Sequence, residues 1–187
     1  GLVMGICNGF QILVETGLVP GVLLRNKYLE FICKNVFVKI DNKDNPYFKN
    51  IEKDIFEFHI AHNEGNYFCT KDQLKEIEDN NQIAIYYCSE KGKTEETFNP
   101  NGSIKNIAGI FNKKKNVLGM MPHPERMIDE SLSGEDGSLF FKNLINNCKD
   151  QLIQHSCSTI PNFILPKALN VMNQELEEQL DEVYMSK

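Results

Sequence analysis

The 187-residue chain is 41% hydrophobic and 25% charged, the balance of a globular domain rather than a disordered segment. Its longest apolar runs fall far short of a bilayer span, which excludes an integral helical membrane protein. With 20 Lys and Arg against 26 Asp and Glu, the net charge is −6. That charge argues against general nucleic-acid binding, and neither nucleic acid nor a membrane is expected as a partner.

The chain opens on Gly1 rather than Met, and Leu2 to Ile6 already reads as a strand. The run shows no alternation, as expected of a strand covered on both faces. It turns sharply at Cys7-Asn8-Gly9 into a helix over about Phe10 to Thr16, with Gly17 at its C′ position. Val19-Pro20-Gly21 breaks the chain. Phe31 to Ile40 reads as a strand with Val36, Val38 and Ile40 on one face. Asp41 to Pro46 is a polar turn, Ile55 to Ala61 a strand, and His62 to Gly65 a polar loop at its end. Thr70 and Gln73 form a capping box for a helix through about Asp79. Ile83 to Cys88 is a strand and Ser89 to Ser103 a long polar loop. Ile107–Phe111 and Val117–Met121 form a hairpin across Asn112 to Asn116. Pro122 to Asp136 is irregular. Leu139, Phe140, Leu144, Ile145, Cys148 and Leu152 then mark an amphipathic helix. Residues 1–148 form the first domain, and 149–187 a C-terminal extension read as helical from about Lys167 to Tyr184. Residues 166–187 carry 2 Lys and 5 Asp/Glu, net −3, half of the total charge.

Six cysteines, at 7, 33, 69, 88, 148 and 157, include no Cys-x-x-Cys pair, so neither a zinc ribbon nor a thioredoxin-type motif is supported. Five of them read as small buried hydrophobes in a reduced cytoplasm, and a cytoplasmic location is expected. Asn101-Gly102-Ser103 fits a glycosylation sequon, but Asn99-Pro100-Asn101-Gly102 reads as a turn.

Two motifs carry chemistry. Gly5-Ile6-Cys7-Asn8-Gly9 has the spacing of a nucleophile elbow, with glycines two residues either side of the nucleophile at a strand-to-helix turn. The following helix N-terminus favours thiolate over thiol and supplies N–H donors for an oxyanion. Met120-Met121-Pro122-His123-Pro124-Glu125-Arg126 follows a hydrophobic strand, at the edge of an α/β sheet where sites form. There His123 is placed to act as base for Cys7, with Glu125 orienting its imidazole.

The order Cys…His-x-Glu resembles the class I (triad) glutamine amidotransferases. Within that superfamily the match is to the glutaminase subunits of phosphoribosylformylglycinamidine synthases. It rests on Gly5 to Leu13, Leu24-Arg25-Asn26, Ala61-His62-Asn63-Glu64-Gly65-Asn66-Tyr67, Asn99 to Ser103 with Asn106 to Ile110, and Gly119 to Arg126. The resemblance covers residues 1 to about 148. It implies an α/β fold with an open, mostly parallel sheet and flanking helices (flavodoxin-like), with the first βα units missing.

The implied activity is hydrolysis of glutamine through a Cys7 thioester, with Cys7, His123 and Glu125 catalytic. Ammonia would pass to an ATP-dependent synthetase that aminates formylglycinamide ribonucleotide in purine biosynthesis. The implied partners are glutamine, that synthetase and a small bridging subunit of the same complex. No cofactor or metal is expected in this chain, ATP and magnesium being expected on the synthetase. Asn8, Gln11, Arg25 and Asn26 are candidate substrate-binding residues. For Gln11 helix packing is an equal alternative, and for Arg25 a surface ion pair. His62 and Glu64 are candidates for the partner-facing or site-rim loop. The family usually has Gly where Asn63 stands, and Asn tolerates left-handed backbone angles.

The resemblance further implies that roughly 60–90 residues of βα units precede the elbow strand. These include the loop with the second oxyanion donor, a loss worth about 10²–10³ in rate, so the isolated fragment is expected to be inactive. The alternatives are the glutaminase domain of another class I amidotransferase, a truncated non-catalytic chain that keeps a partner-binding face, and a papain-like protease. The Asn99–Ser103 loop weighs against the first, and the His-x-Glu pair against the last.

Overall fold

A computed structural model describes residues 1–132 and 134–154. Gly1–Lys149 make one compact unit, and a second begins at Asp150. The helix expected over 167–184, and Cys157, lie outside the described residues.

The elements run β1 Val3–Ile6, α1 Asn8–Glu15, β2 Val22–Leu24, β3 Ile32–Ile40, β4 Ile55–His62, β5 Asn66–Phe68, α2 Lys71–Asp79, β6 Ile83–Cys88, β7 Ile107–Phe111, β8 Val117–Met120 and α3 Asp136–Gln154. Short 3-10 turns fill the loops at Glu96–Phe98, Ile104–Asn106, Pro124–Arg126 and Glu130–Leu132. The six-stranded sheet has the order β1-β8-β7-β6-β3-β4, and β2 pairs with β5 in a separate ribbon.

The α/β class and the open sheet with flanking helices stand, but the strand directions differ from the mostly parallel sheet expected. Among the described strands only β1 and β8 pair in parallel. The β8–β7, β7–β6, β6–β3 and β3–β4 ladders are antiparallel. Short connections explain part of this: a five-residue turn joins β7 to β8, and such a turn can only make an antiparallel pair. β1 is the first strand in this order, and its Val3 is 47% exposed.

Each face of the sheet carries its own core. One gathers Val36, Val38 and Ile40 of β3 with Phe56, Phe58 and Ile60 of β4, Tyr47, Phe48, Phe111 and Phe140 of α3. Phe140 sits among rings, with centroids 5.8 Å from Phe58 and 6.0 Å from Phe48. Leu139 and Ile145 of α3 are exposed instead, so its buried stripe is narrower than the apolar pattern suggests. The other core packs Phe10 and Leu13 of α1 and Ile77 of α2 against Ile83, Ile107, Ile110 and Val117. α2 starts where its sequence says: Thr70 accepts from the Gln73 N–H, and the Gln73 side chain accepts from the Thr70 N–H.

Candidate active site

β1 and β8 are parallel neighbours with Ile6 opposite Met120, so both strands end at the same edge of the sheet, roughly 4.8 Å apart. The segments leaving the two strands must therefore meet there. After β1 comes Cys7, whose N–H donates to the Met120 carbonyl at 2.8 Å. After β8 come Met121, Pro122 and His123. The His123 N–H donates to the His59 carbonyl of β4 at 2.7 Å, which ties the loop across the sheet end.

Cys7 adopts φ 51° and ψ −106° and caps α1. This is a strained conformation for a residue with a side chain, as a nucleophile elbow requires. Gly5 permits it: a Cβ there would lie 2.6 Å from the Gly9 carbonyl oxygen and 2.6 Å from Leu13 Cδ1. Gly9 has no such crowding, so of the two flanking glycines only Gly5 is required by close approach.

The Cys7 Sγ lies 3.9 Å from Asn8 Oδ1 and 3.9 Å from the Ala61 carbonyl. Its pKa is raised, chiefly by burial, against lowering contributions from the Asn8 N–H and Arg126. The N–H at the helix N-terminus thus favours the thiolate, as the sequence predicts, but burial outweighs it. A base is needed. The His123 Nδ1 is 2.5 Å from Glu125 Oε1, which assigns the ring proton to Nδ1 and leaves Nε2 as a bare acceptor. That Nε2 is buried with no protein partner.

Cys7, Asn8, Gln11, Phe31, His62, His123 and Arg126 wall a cleft of about 470 Å³, with Ile6 and Ala61 to Glu64. A larger groove of about 1170 Å³ shares Phe31 but holds neither Cys7 nor His123.

Of the other candidates, Gln11 reaches the cleft and its Nε2 donates to the Glu64 carbonyl at 3.0 Å. Arg25 stays outside it, two-thirds exposed, with Nε 3.8 Å from Glu64 Oε1. Asn26 is 1% exposed and cannot serve as a ligand, because every polar position on its side chain is used. Its Nδ2 donates to the Glu30 and His62 carbonyls, each at 2.8 Å, and its Oδ1 accepts from the Gly65 N–H and His62 Nδ1, each at 3.1 Å.

His62 is likewise not on a rim: it is 3% exposed at the end of β4. A Cβ at Gly65 would lie 2.3 Å from its ring, which is why that loop carries glycine. Asn63 is not in the left-handed region, so no special tolerance is drawn upon. The Asn99–Ser103 turn supports the same loop. Asn101 is fully buried and its Nδ2 donates to the Gly65 carbonyl at 2.7 Å, so it serves as a brace and not as a glycan acceptor. Sequence reasoning gave no role to Arg126 or Phe31, although Arg126 stands three residues after His123.

Burial, with the nearby His123 adding to it, pulls the His62 pKa down to about 4. The unfolded chain takes up this proton near pH 6.5 and the folded chain does not. Stability from this group is therefore complete above pH 6.5 and declines as pH falls toward 4, by on the order of 3 kcal/mol. Urea midpoints at pH 7 and pH 4.5 are expected to differ clearly less in His62→Gln than in the parent.

Among the described residues no group of three or more His, Cys, Asp or Glu is placed to hold a metal ion. No helix among them is long and apolar enough to cross a membrane.

The chain belongs to the CobB/CobQ-like glutamine amidotransferase domain family, whose model matches residues 1–135. More particularly, it is 76% identical over 149 residues to phosphoribosylformylglycinamidine synthase subunit PurQ of Pelagibacter ubique (strain HTCC1062), covering 80% of this chain and 66% of that protein. The structure of PurLQS from Thermotoga maritima matches with a TM-score of 0.65 at 38% identity, over 79% of this chain and 62% of that one. The chain thus spans just under two thirds of the length of these relatives.

Proposed function

We propose that the chain is the nucleophile-bearing part of a glutaminase subunit that feeds ammonia to a synthetase. The observation that carries this reading is the meeting of Cys7 with the His123–Glu125 pair at the ends of two adjacent parallel strands. The 76% identity to a phosphoribosylformylglycinamidine synthase subunit supports the particular pathway.

In this reading the Cys7 thiol gives its proton to His123 Nε2 as Sγ attacks the side-chain carboxamide carbon of glutamine. Glu125 stabilises the resulting imidazolium. The α1 N-terminus supplies a donor for the tetrahedral oxyanion. His123 then protonates the leaving nitrogen, ammonia departs, and a γ-glutamyl thioester remains. Water attacks the thioester with His123 again taking the proton, and glutamate leaves. The ammonia goes to an ATP- and magnesium-dependent synthetase that converts formylglycinamide ribonucleotide to formylglycinamidine ribonucleotide, in a cytoplasmic complex with a small bridging subunit.

The test uses the full-length subunit that carries this chain, together with its synthetase, and glutamine labelled with ¹⁵N in the amide. The label is expected in the amidine product. Product that forms only from free ammonium would overturn the reading.

Gln11 holds the loop that walls the cleft. Removing one hydrogen bond of about 1 kcal/mol predicts a roughly 5-fold higher glutamine KM in Gln11→Ala, with kcat little changed. Steady-state glutamate release measures both constants.

A further inference from the structure

β3 and β4 pair antiparallel with Asn35 opposite His59 and Cys33 opposite Ala61. Residues 33 and 35 share one face of β3, because side chains alternate along a strand. The His59 ring bridges both of them. Its Nδ1 is 2.9 Å from Asn35 Oδ1, and its Nε2 is 3.4 Å from Cys33 Sγ. The amide oxygen only accepts, so Nδ1 carries the ring proton and Nε2 presents a lone pair to the thiol. This is a thiol, a base and an orienting group in sequence, the arrangement that activates a nucleophile.

The first half of β3 leaves room for it. β3 pairs with β6 only from Phe37 to Ile40, so at Cys33 and Asn35 no described strand pairs with that edge of β3. Cys33 is exposed, contrary to the reading of the non-nucleophilic cysteines as buried hydrophobes, and it lies on the wall of the 1170 Å³ groove. None of the three residues lines the Cys7 cleft. Burial, with the Arg126 and His123 charges, lowers the His59 pKa, which keeps the ring neutral and free to take a proton at pH 7.

The geometry points to Cys33, His59 and Asn35 as a second thiol centre, separate from the glutaminase chemistry, that exchanges with low-molecular-weight disulfides to form a mixed disulfide. The Cys33 thiol passes its proton to His59 Nε2 while its sulfur attacks one sulfur of the disulfide. The old S–S bond breaks, a new one forms to Cys33, and the departing thiolate takes the proton from His59. Cys33 is oxidised and the small disulfide is reduced to one equivalent of thiol.

The test is oxidised glutathione added to the folded chain, with adducts located by peptide mass mapping so that Cys7 is read separately. The Cys33 adduct is expected to form at least 10-fold faster than in the urea-unfolded chain. His59→Ala is expected to slow it about 10-fold and Asn35→Ala about 3-fold, and Cys33→Ser to remove it while leaving glutamine turnover unchanged in the full-length subunit with its synthetase. Should His59→Ala not fold, the exposed Asn35→Ala carries the same test. Equal Cys33 rates in the folded and unfolded chains, or in the parent and both variants, would overturn the inference.

Discussion

Replacing Cys7 with alanine is expected to lower glutamine-dependent turnover by about 10⁴–10⁶-fold. Synthesis from free ammonium by the partner should stay within about 2-fold. None of the other described thiols, Cys33, Cys69, Cys88 and Cys148, lines the cleft that Cys7 shares with His123. The same position offers a separate check on the elbow. Because Cys7 holds φ 51°, Cys7→Gly should relieve strain and raise stability by on the order of 1 kcal/mol while remaining inactive. A chain made both more stable and inactive by one change is what a strained nucleophile predicts. Urea melts of the parent, Cys7→Ala and Cys7→Gly provide the comparison.

The second large effect is expected at His123. In the proposed mechanism, His123→Ala removes both the acceptor for the Cys7 proton and the donor for ammonia. A raised Cys7 pKa leaves little spontaneous thiolate to compensate. Turnover should fall by about 10³–10⁵-fold, mostly in kcat. Glu125→Gln should cost at least 10-fold less than His123→Ala. Its carboxylate is 44% exposed, so its charge is partly screened, and glutamine keeps an oxygen that can accept from Nδ1. Equal losses in the two variants would mean that the Glu125 charge is as necessary as the imidazole itself.

Local signals in the sequence located most elements of this site. Gly5-Ile6-Cys7 reads as strand into turn because an apolar run meets a position where only glycine fits. The α2 capping box and the β7–β8 hairpin are read from neighbours a few residues apart. What stayed hidden depends on pairing across long separations. That β1 lies beside β8, more than 110 residues away, decides that Cys7 and His123 share an edge; the sequence joins the two residues through their motifs and the family resemblance, but no local pattern encodes the strand pairing itself. The same holds for Asn26. A polar residue after a strand looks like a ligand until its four hydrogen bonds to Glu30, His62 and Gly65 are seen. His62 looked like a loop residue because Asn63 and Glu64 beside it are polar. It is instead the last residue of β4 and shares that strand's buried positions with Phe56, Phe58 and Ile60. β5 is three residues long, too short for period-two alternation to show. The antiparallel β7–β6, β6–β3 and β3–β4 ladders escape the sequence for a related reason: an apolar strand reads the same whichever way its neighbour runs.

The central claim is that Cys7 is a nucleophile for a glutamine side chain. The most direct measurement treats the full-length subunit and its synthetase with a diazo-ketone analogue of glutamine, then finds the adduct by mass spectrometry. The account predicts one adduct, on Cys7, suppressed by excess glutamine and lost in His123→Ala. Labelling that is spread over several cysteines, or labelling of Cys7 that glutamine does not slow, would contradict it.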